Sequence, residues 1–374
     1  MGRSAGAAAE DVRWMRRALA LAARGLGETN PNPLVGAVVV RGGRVVGEGF
    51  HARAGGPHAE KQALERAGAR ARGATIYVTL EPCAHHGRTP PCAPLMRDAG
   101  IARVVAALRD PNPLVDGRGL RLLRRAGIEV ATGVLGAEAA RLNERFLTSM
   151  KAGRPFVLLK AALTLDGRIA TASGESRWIT GAGQRRQARW LRRLHDAVMV
   201  GIGTVLADDP LLLPVPRTRR PFLRVVLDSR LRLPPNSRLA RSASPRTPVL
   251  VLGCPGASER RRQIEAAGVG VDEVAAESGR VSLAHALAAL WVRGVTSLMV
   301  EGGSTVLGSF LAERVVDQVA LFRAPLLLGG RQGLPAFGGP DPTRLDDALR
   351  VRPAGDSPPF CWPEPPLFEL WYPG

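Results

Sequence analysis

The chain has few cysteines, few aromatic residues and no long apolar run. Among its 374 residues are 4 Cys and 2 Tyr, and the aromatic residues together make up 5%. Cys254 and Cys361 stand alone in the sequence, which disfavours the disulfide framework of small secreted proteins and favours a reducing compartment. No apolar run reaches the length of about 20 residues that crosses a bilayer, and no cleavable targeting peptide is recognised at the start. We therefore predict a cytoplasmic protein with no membrane partner.

The charge of the chain is strongly one-sided. Lys and Arg number 52 against 33 Asp and Glu, which gives a net charge of +19, and the only lysines are Lys61, Lys151 and Lys160. Such an excess can indicate a nucleic-acid binder. The arginines form no dense block, however, so a bias of composition is the simpler interpretation. Since a basic protein also attracts phosphorylated small molecules, we predict that class of partner and no nucleic acid.

The length and the hydrophobic pattern predict a layered α/β protein of two domains. Gly153-Arg154-Pro155 is the expected join, which divides the chain into domains 1–152 and 153–374. The tail from about residue 331 is rich in Pro and Gly and is not assigned. The expected helices span about 11–25, 58–70, 91–99, 119–126, 182–194 and 283–290; the expected strands span 34–40, 45–50, 74–80, 101–108, 128–131, 156–162, 197–200, 223–227, 249–252 and 298–300.

One set of residues carries metal chemistry. His58 is followed by Glu60, and Cys83 and Cys92 each follow a proline. One His and two Cys supply three ligands, whereas a closed structural zinc site uses four. A fourth position would be left for water, and Glu60 is placed to move protons without binding the metal. The set resembles the H-x-E…P-C-x-x-C signature of zinc nucleobase deaminases, in which an activated water attacks the ring carbon that bears an amine.

Two other interpretations of this set stay open. A zinc knuckle or a zinc-stabilised interaction protein would use a fourth ligand, for which His85 and His86 lie near Cys83 in the sequence, although surface-loop histidines are the simpler reading. A polynucleotide deaminase would share the three ligands. The long gap between Cys83 and Cys92 and the lack of aromatic residues among the basic ones argue against it. His51, His195 and His285 have no partner at ligand spacing and are interpreted as structural.

The insert between the two cysteines carries a resemblance to a known family. Pro82-Cys83-Ala84-His85-His86-Gly87-Arg88-Thr89-Pro90-Pro91-Cys92 resembles the deaminase half of the bifunctional riboflavin-biosynthesis deaminase/reductase family. The resemblance covers about residues 11–330. Further motifs that carry it are Asn30-Pro31-Asn32-Pro33-Leu34-Val35-Gly36, Asp110-Pro111-Asn112-Pro113, Leu165-Asp166-Gly167-Arg168-Ile169-Ala170, Gly174-Glu175-Ser176-Arg177-Trp178-Ile179-Thr180, Gly203-Thr204-Val205-Leu206-Ala207-Asp208-Asp209-Pro210, Val226-Leu227-Asp228-Ser229 and Glu301-Gly302-Gly303-Ser304.

The resemblance implies a fold and two successive reactions. It implies a cytidine-deaminase-like three-layer domain followed by a dihydrofolate-reductase-like domain. The first would hydrolyse the amine from 2,5-diamino-6-(5-phosphoribosylamino)pyrimidin-4-one with zinc, and the second would reduce the ribosyl group of the product to ribityl with NADPH. A homo-oligomer is implied by the family alone.

The resemblance also implies the site residues. Zinc falls to His58, Cys83 and Cys92, and proton transfer to Glu60. Its implied cofactor contacts are Ala162, Trp178, Thr204, Asp208, Ser229 and the loop from Gly303, and its implied substrate contacts are Ser176, Arg192, Leu212 and Glu301. The remaining arginines of the helix that carries Arg192 are interpreted mostly as a solvated basic face.

The second half departs from the family pattern at one substrate position. After Asp209-Pro210 the family usually continues Leu-Thr-Val-Arg, whereas this chain has Leu212-Leu213-Pro214-Val215. Arg217, from a shifted loop, is the candidate replacement for the missing arginine.

Overall fold

The structure is a computed structural model that describes residues 5–84, 90–339, 341–354 and 366–374. These residues form two compact units that divide between Ala152 and Gly153. We call them the first and the second unit.

The first unit is built on a five-stranded sheet. Its helices and strands are α1 (Ala5–Ala23), β1 (Gly36–Arg41), β2 (Arg44–Phe50), α2 (Ala59–Ala67), β3 (Thr75–Val78), α3 (Cys92–Asp98), β4 (Arg103–Ala106), α4 (Arg118–Arg125), β5 (Glu129–Thr132), α5 (Gly136–Leu142) and α6 (Glu144–Ala152). The strand order is β2-β1-β3-β4-β5. β1 is antiparallel to β2 and β3, whereas β3, β4 and β5 are parallel.

Helices cover both faces of this sheet. Val39 pairs with Ile76 across β1 and β3, and both belong to the core under α2, α3 and α4. The adjacent pair, Val38 and Tyr77, belongs to the core under α1. Because successive strand residues point to opposite faces, one apolar run fills both cores. The first unit therefore has three layers.

The close approach of α2 to β2 fixes the start of that helix. A Cβ atom at Gly47 would lie 2.1 Å from the carbonyl oxygen of Ala63, and one at Gly49 would lie 2.4 Å from that of Ala59. Only glycine leaves room for this contact. Since His58 immediately precedes α2, these two glycines also fix the position of the histidine. The helix expected over 58–70 ends at Ala67 and continues as a 3-10 turn from Gly68 to Ala71.

The second unit contains a nine-stranded sheet of order β11-β10-β9-β8-β14-β6-β15-β18-β17. The strands from β11 to β15 run parallel, and β18 and β17 add an antiparallel edge. Its elements are β6 (Phe156–Thr164), β7 (Arg168–Ala170), α7 (Ala182–Arg192), β8 (Ala197–Gly201), α8 (Ile202–Asp208), β9 (Leu223–Leu227), α9 (Arg238–Arg241), β10 (Val249–Gly253), α10 (Ser258–Ala266), β11 (Gly270–Glu273), β12 (Ala276–Glu277), β13 (Arg280–Val281), α11 (Leu283–Val292), β14 (Ser297–Glu301), α12 (Ser304–Ala312), β15 (Gln318–Ala324), β16 (Leu334–Pro335), β17 (Val351–Pro353) and β18 (Glu369–Pro373).

The second unit also has a core on each face of its sheet. Met199 contributes to the core that includes Leu287 of α11, and Val200, the next residue of β8, contributes to the core that includes Ile264 of α10. Among the described residues, no helix is both long enough and apolar enough to span a membrane.

Candidate metal centre and cofactor cavity

In the first unit, three elements bring the nitrogen of one histidine and two sulfur atoms together. His58 precedes α2, Cys83 lies in the loop after β3, and Cys92 is the first residue of α3. His58 Nδ1 lies 3.3 Å from Cys92 Sγ and 3.6 Å from Cys83 Sγ, and all three donor atoms lie within 4.8 Å of one another. Tetrahedral zinc, with bonds of about 2.1 Å to nitrogen and 2.3 Å to sulfur, separates such donors by about 3.6 Å. The donor set and its spacing therefore fit zinc.

The two thiols are poised to bind a cation. The backbone N–H of Cys92 donates to Cys83 Sγ at 3.4 Å. A hydrogen bond between the two thiols lowers the pKa of Cys83 to about 4 and raises the pKa of Cys92, so the pair loses its first proton readily. A bound divalent cation would favour the thiolate form of both.

Glu60 lies beside this donor set without belonging to it. Its side chain is 4% exposed and lies beside the Cys92 thiol. Burial raises the pKa of the Glu60 carboxyl to about 7, and the negative charge of Cys83 acts in the same direction. Within the described part of the chain, no further His, Cys, Asp or Glu joins the three donors. His85 and His86, the sequence candidates for a fourth ligand, lie outside the described residues.

Glu81 ties the metal-binding loop to the helix α4. Its Oε1 accepts the N–H groups of Gly119 and Leu120 at 3.0 and 3.3 Å, and its Oε2 accepts those of Gly117 and Asp110 at 2.9 and 3.3 Å. Because these groups are buried, the bonds satisfy donors that the start of α4 would otherwise leave unpaired. The local sequence gives no signal for this role of Glu81, because its partners lie 29 to 39 residues away in the chain.

His51, interpreted from the sequence as structural, lies in the metal site. Its ring packs edge-on against that of His58, with centroids 5.6 Å apart, and its Nε2 lies 3.1 Å from Nδ2 of Asn32. Burial lowers the pKa of His51. The usable signal in the sequence is the motif Asn30-Pro31-Asn32-Pro33, which contains Asn32 but does not by itself indicate a role for it.

The second unit contains a cavity of about 1840 Å³ at the carboxyl ends of its parallel strands. Ligands bind at this edge in open α/β sheets, and the volume exceeds the range of about 300–1,000 Å³ that is common for single small ligands. All ten residues that the resemblance assigns to cofactor and substrate line it. They are Ala162, Ser176, Trp178, Arg192, Thr204, Asp208, Leu212, Ser229, Glu301 and Gly303.

A charge cluster around the buried carboxylate of Glu301 lies in the wall of this cavity. Arg192 binds both carboxylate oxygens of Glu301, and Lys160 Nζ lies 3.8 Å from Glu301 Oε2. Arg192 also donates to the carbonyl oxygen of Leu213. Burial lowers the pKa of Lys160. From the sequence, Lys160 is distinguished only as one of three lysines, although a lysine inside an otherwise apolar strand is a usable signal.

A glycine turn after β14 gives the cavity a surface suited to a phosphate group. Gly302 and Gly303 have φ of +75° and +78°, and a Cβ atom at Gly302 would lie 3.3 Å from Thr204 Oγ1. The turn leads directly into α12, whose first N–H groups can bind an anion. Ser304 Oγ is buried with no hydrogen-bond partner in the described part of the chain. The size of the cavity and this turn fit a dinucleotide.

Trp178 stands at the cavity between two arginines. Its side chain is 70% exposed, the guanidinium carbon of Arg185 lies 4.3 Å from its ring centroid, and that of Arg177 lies 5.9 Å away. Arg177 also donates to Asp208 Oδ1 at 3.0 Å. An exposed indole held by cation–π contacts can stack on a ligand ring.

The segment that departs from the family pattern also lines the cavity. The side chain of Leu212 is 4% exposed and packs in a core, with its backbone at φ +53°. Arg224, which is fully buried, holds this segment through the carbonyl oxygen of Leu211. Arg217, the candidate replacement for the missing arginine, lines the same cavity.

Comparisons with known proteins match the two units to two family models. Residues 8–108 match the cytidine and deoxycytidylate deaminase zinc-binding region, and residues 155–355 match the RibD C-terminal domain. The predicted fold class, a cytidine-deaminase-like domain followed by a reductase domain, is confirmed by these matches and by solved structures of the same architecture.

The chain is similar to curated proteins and solved structures over most of its length. It is 44% identical to the riboflavin biosynthesis protein RibD of Actinobacillus pleuropneumoniae, covering 91% of each chain. It is 42% identical to that of Escherichia coli K12, covering 86% of this chain and 89% of the relative. The structure of Acinetobacter baumannii RibD, form 2, has a TM-score of 0.87 at 38% identity and covers 98% of this chain and 100% of that one. A Thermotoga maritima diaminohydroxyphosphoribosylaminopyrimidine deaminase/5-amino-6-(5-phosphoribosylamino)uracil reductase has a TM-score of 0.84 at 37% identity, with the same coverage.

Proposed function

We propose that residues 1–152 carry out a deamination and residues 153–374 a reduction. The reason is that this chain belongs to the RibD family of riboflavin-biosynthesis proteins, whose members catalyse both reactions. The family is a bifunctional deaminase and reductase, and both domains are present in this chain. The predictions of a bifunctional enzyme of riboflavin biosynthesis, of zinc and NADPH as cofactors, and of a small phosphorylated pyrimidine as substrate are therefore confirmed.

For the deaminase we propose that His58, Cys83 and Cys92 hold the zinc ion. Zinc, when bound, supplies a water molecule whose pKa is near neutral and which can act as a nucleophile. Glu60 is the proposed proton carrier. Its carboxyl group lies against Cys92, is shielded from solvent and is not needed as a ligand. In that position Glu60 can accept a proton from water and deliver one to the ring nitrogen and to the leaving ammonia.

For the pyrimidine itself, the structure offers a polar pair beside the metal ligands. The Nδ2 of Asn32 and the Nε2 of His51 are 3.1 Å apart, and His51 packs on His58. We propose that these two side chains orient the ring of the substrate. The reason is that a deaminase must hold one ring carbon next to its nucleophile, and buried polar groups fix such an orientation.

For the reductase we propose that the cavity of the second unit holds NADPH and the deaminated product together. NADPH, when bound, supplies the hydride. The contacts proposed for it are Ala162, Trp178, Thr204, Asp208, Ser229 and the Gly303 loop. Ser176, Arg192, Leu212 and Glu301 are the contacts proposed for the product. Lys160, paired with Glu301, extends the polar surface on which the product would lie.

We further propose that the protein works in the cytoplasm as a homo-oligomer and binds no nucleic acid. Support for the compartment comes from Cys254, which forms no disulfide bond. The oligomer follows from the family resemblance. Sedimentation of the purified protein at several concentrations tests it.

The observation that carries the proposed deaminase is the convergence of three donor atoms within 4.8 Å beside a buried carboxylate. The direct test is to incubate the zinc-loaded protein with the diaminopyrimidinone substrate, with and without NADPH. We expect ammonia in both incubations, and oxidation of NADPH in the incubation that contains it. Ammonia release that survives complete removal of zinc would contradict the metal-site assignment. Separate measurement of ammonia and NADPH keeps the two reactions apart.

A further inference from the structure

A second concave site lies on the first unit, and its wall is formed by four arginines. Arg97 comes from α3, and Arg118, Arg121 and Arg125 come from one face of α4. We call this site, of about 640 Å³, the arginine pocket; its remaining described lining is Ala84, Leu122 and Ala126. Residues three, four and seven apart share a helix face, so the three α4 arginines point to the same side.

The positive charge of the three α4 arginines in this pocket is not balanced by an ion pair in the described part of the chain. No Asp or Glu is among its described lining residues. Arg97 forms an ion pair with its neighbour Asp98 at 2.8 Å. Over the described ranges, no ion pair involves Arg118, Arg121 or Arg125. The pocket therefore offers guanidinium donors without an internal partner.

The clustering of arginines on one face of α4 does not stabilise that helix. Like charges three and four residues apart repel on a helix surface, and Arg118, in the first turn of α4, adds a positive charge at the positive end of the helix dipole. A chain that is rich in arginine can place such residues on any solvated face. Here, however, they come from two helices and enclose a concave volume, which a solvated face does not need.

The α4 wall of the pocket is fixed to the metal-binding loop. Glu81 accepts the N–H groups of Gly117, Gly119 and Leu120, and a Cβ atom at Gly119 would lie 1.8 Å from the carbonyl oxygen of Pro82. Ala84, in the lining, directly follows Cys83. The guanidinium groups thus project from a preformed scaffold, which lowers the entropy cost of binding an anion.

We propose that the arginine pocket binds a phosphate ester. Guanidinium groups form paired hydrogen bonds with phosphate oxygens, and the volume accommodates a phosphate together with the sugar that carries it. The phosphate has two sources: that of the substrate bound at the adjacent metal site, or that of a separate phosphorylated metabolite. The choice between these two sources rests on the proposed deaminase function. The phosphate site itself does not, because phosphate binding can be measured without catalysis.

The test uses the full-length, zinc-loaded protein and ribose 5-phosphate as the probe. Isothermal titration compares the wild type with the double variant R121Q/R125Q and with R124Q, which removes one arginine charge from the same helix outside the pocket. We expect the double variant to lose one binding site or to weaken it at least tenfold, and R124Q to stay within twofold of the wild type. Comparison between variants removes any contribution from the second unit. Unchanged zinc content and unchanged NADPH oxidation on supplied deaminated product show that the variants are folded.

Steady-state ammonia release distinguishes the two sources. If the substrate's own phosphate occupies the pocket, ribose 5-phosphate inhibits deamination competitively and R121Q/R125Q raises KM at least tenfold with little change in kcat. If a separate metabolite occupies it, the titration difference persists while KM is unchanged. Both results support a phosphate site. Equal ribose 5-phosphate binding by wild type and double variant overturns the proposal. The proposal is also overturned if ribose 5-phosphate does not bind and a single-stranded oligonucleotide binds to the wild type but not to R121Q/R125Q. Absence of ammonia from every variant, wild type included, contradicts the proposed deaminase and leaves the titration result standing.

Discussion

Arg192 and Glu301, which are 109 residues apart in the chain, form a two-point ion pair inside the cofactor cavity. Arg192 Nε lies 2.5 Å from Glu301 Oε1, and Nη2 lies 2.9 Å from Oε2. Burial opposes the ionisation of Glu301, but Arg192 and then Lys160 outweigh it, so the pKa of Glu301 is lowered. Two cations thus share one carboxylate, which leaves an excess of positive charge facing a cavity expected to receive a phosphorylated substrate.

Replacing Glu301 by Gln should selectively damage the reductase. The variant E301Q removes the charge that balances Arg192 and Lys160 and leaves two buried cations uncompensated. We expect the kcat/KM of NADPH oxidation to fall at least tenfold, while ammonia release stays within twofold of the wild type. The matched control is E265Q, which breaks an exposed ion pair with Arg261 on α10 and should change neither rate. Equal loss of both activities in E301Q would point to misfolding rather than to the cavity.

The difference in stability between the wild type and E301Q should depend on pH. Because the pKa of Glu301 is lowered on folding, its ionised form stabilises the protein above the unfolded pKa of about 4.3, and this contribution is lost as the pH falls through the folded value. Below that value Glu301 is neutral, like glutamine. The difference in thermal unfolding midpoint between wild type and E301Q should therefore be constant above about pH 4.3 and shrink as the pH is lowered. A difference that grows toward acid pH would contradict the lowered pKa.

Glu60 should be required for deamination but not for metal binding. The variant E60Q keeps the size of the side chain and its place beside Cys92, but it cannot carry a proton. We expect ammonia release to fall by about 10²- to 10⁴-fold, with zinc content unchanged by atomic absorption. NADPH oxidation on supplied deaminated product is the internal control and should be unaffected. Activity near the wild-type level would exclude the proton-carrier role.

The sequence predicts sites well where the chemistry depends on residue types at short spacing. His58 and Glu60 are two residues apart, and each cysteine follows a proline, so the metal centre can be read directly. Residues that act across long sequence distances are harder to find. Lys160 has a recognisable role only because β14 places Glu301 beside it, and His51 only because the chain folds its ring onto that of His58.

The same limit applies to the fold. The apolar runs of β6, β8, β9, β10 and β14 predict the positions of these strands within a few residues, because a buried parallel strand needs a nearly continuous hydrophobic sequence. β15 (Gln318–Ala324), which is also a central strand, was not predicted. The antiparallel edge strands β17 and β18 of the second unit were not predicted. β18 (Glu369–Pro373) is partly exposed and lies in a tail rich in Pro and Gly, and it is a strand because β15 pairs with it. Tertiary pairing, rather than local propensity, decides such segments.

Trp178 should report cofactor binding. Its indole is 70% exposed at the cavity and is held against Arg185, so a bound nicotinamide dinucleotide can contact it. We expect NADPH to quench tryptophan fluorescence in the wild type, and the variant W178F to lose most of this quenching while the other tryptophans still emit. Equilibrium titration at fixed ionic strength measures both. Equal quenching in the two proteins would place the cofactor away from Trp178.

Glu81 should determine how tightly the first unit holds zinc, although it does not touch the metal ligands. Its carboxylate accepts N–H groups from Asp110, Gly117, Gly119 and Leu120, and Cys83 follows two residues later. The variant E81A would leave buried donors unpaired and free the loop that carries Cys83. Since loss of groups that orient metal ligands typically costs about 10- to 100-fold in affinity, we expect a loss of that size in competition with a chromophoric chelator. The control E65Q alters an exposed carboxylate on α2, 3.7 Å from Lys61, and should leave zinc affinity unchanged. Wild-type affinity in E81A would mean that the cysteine loop holds its geometry without the link to α4.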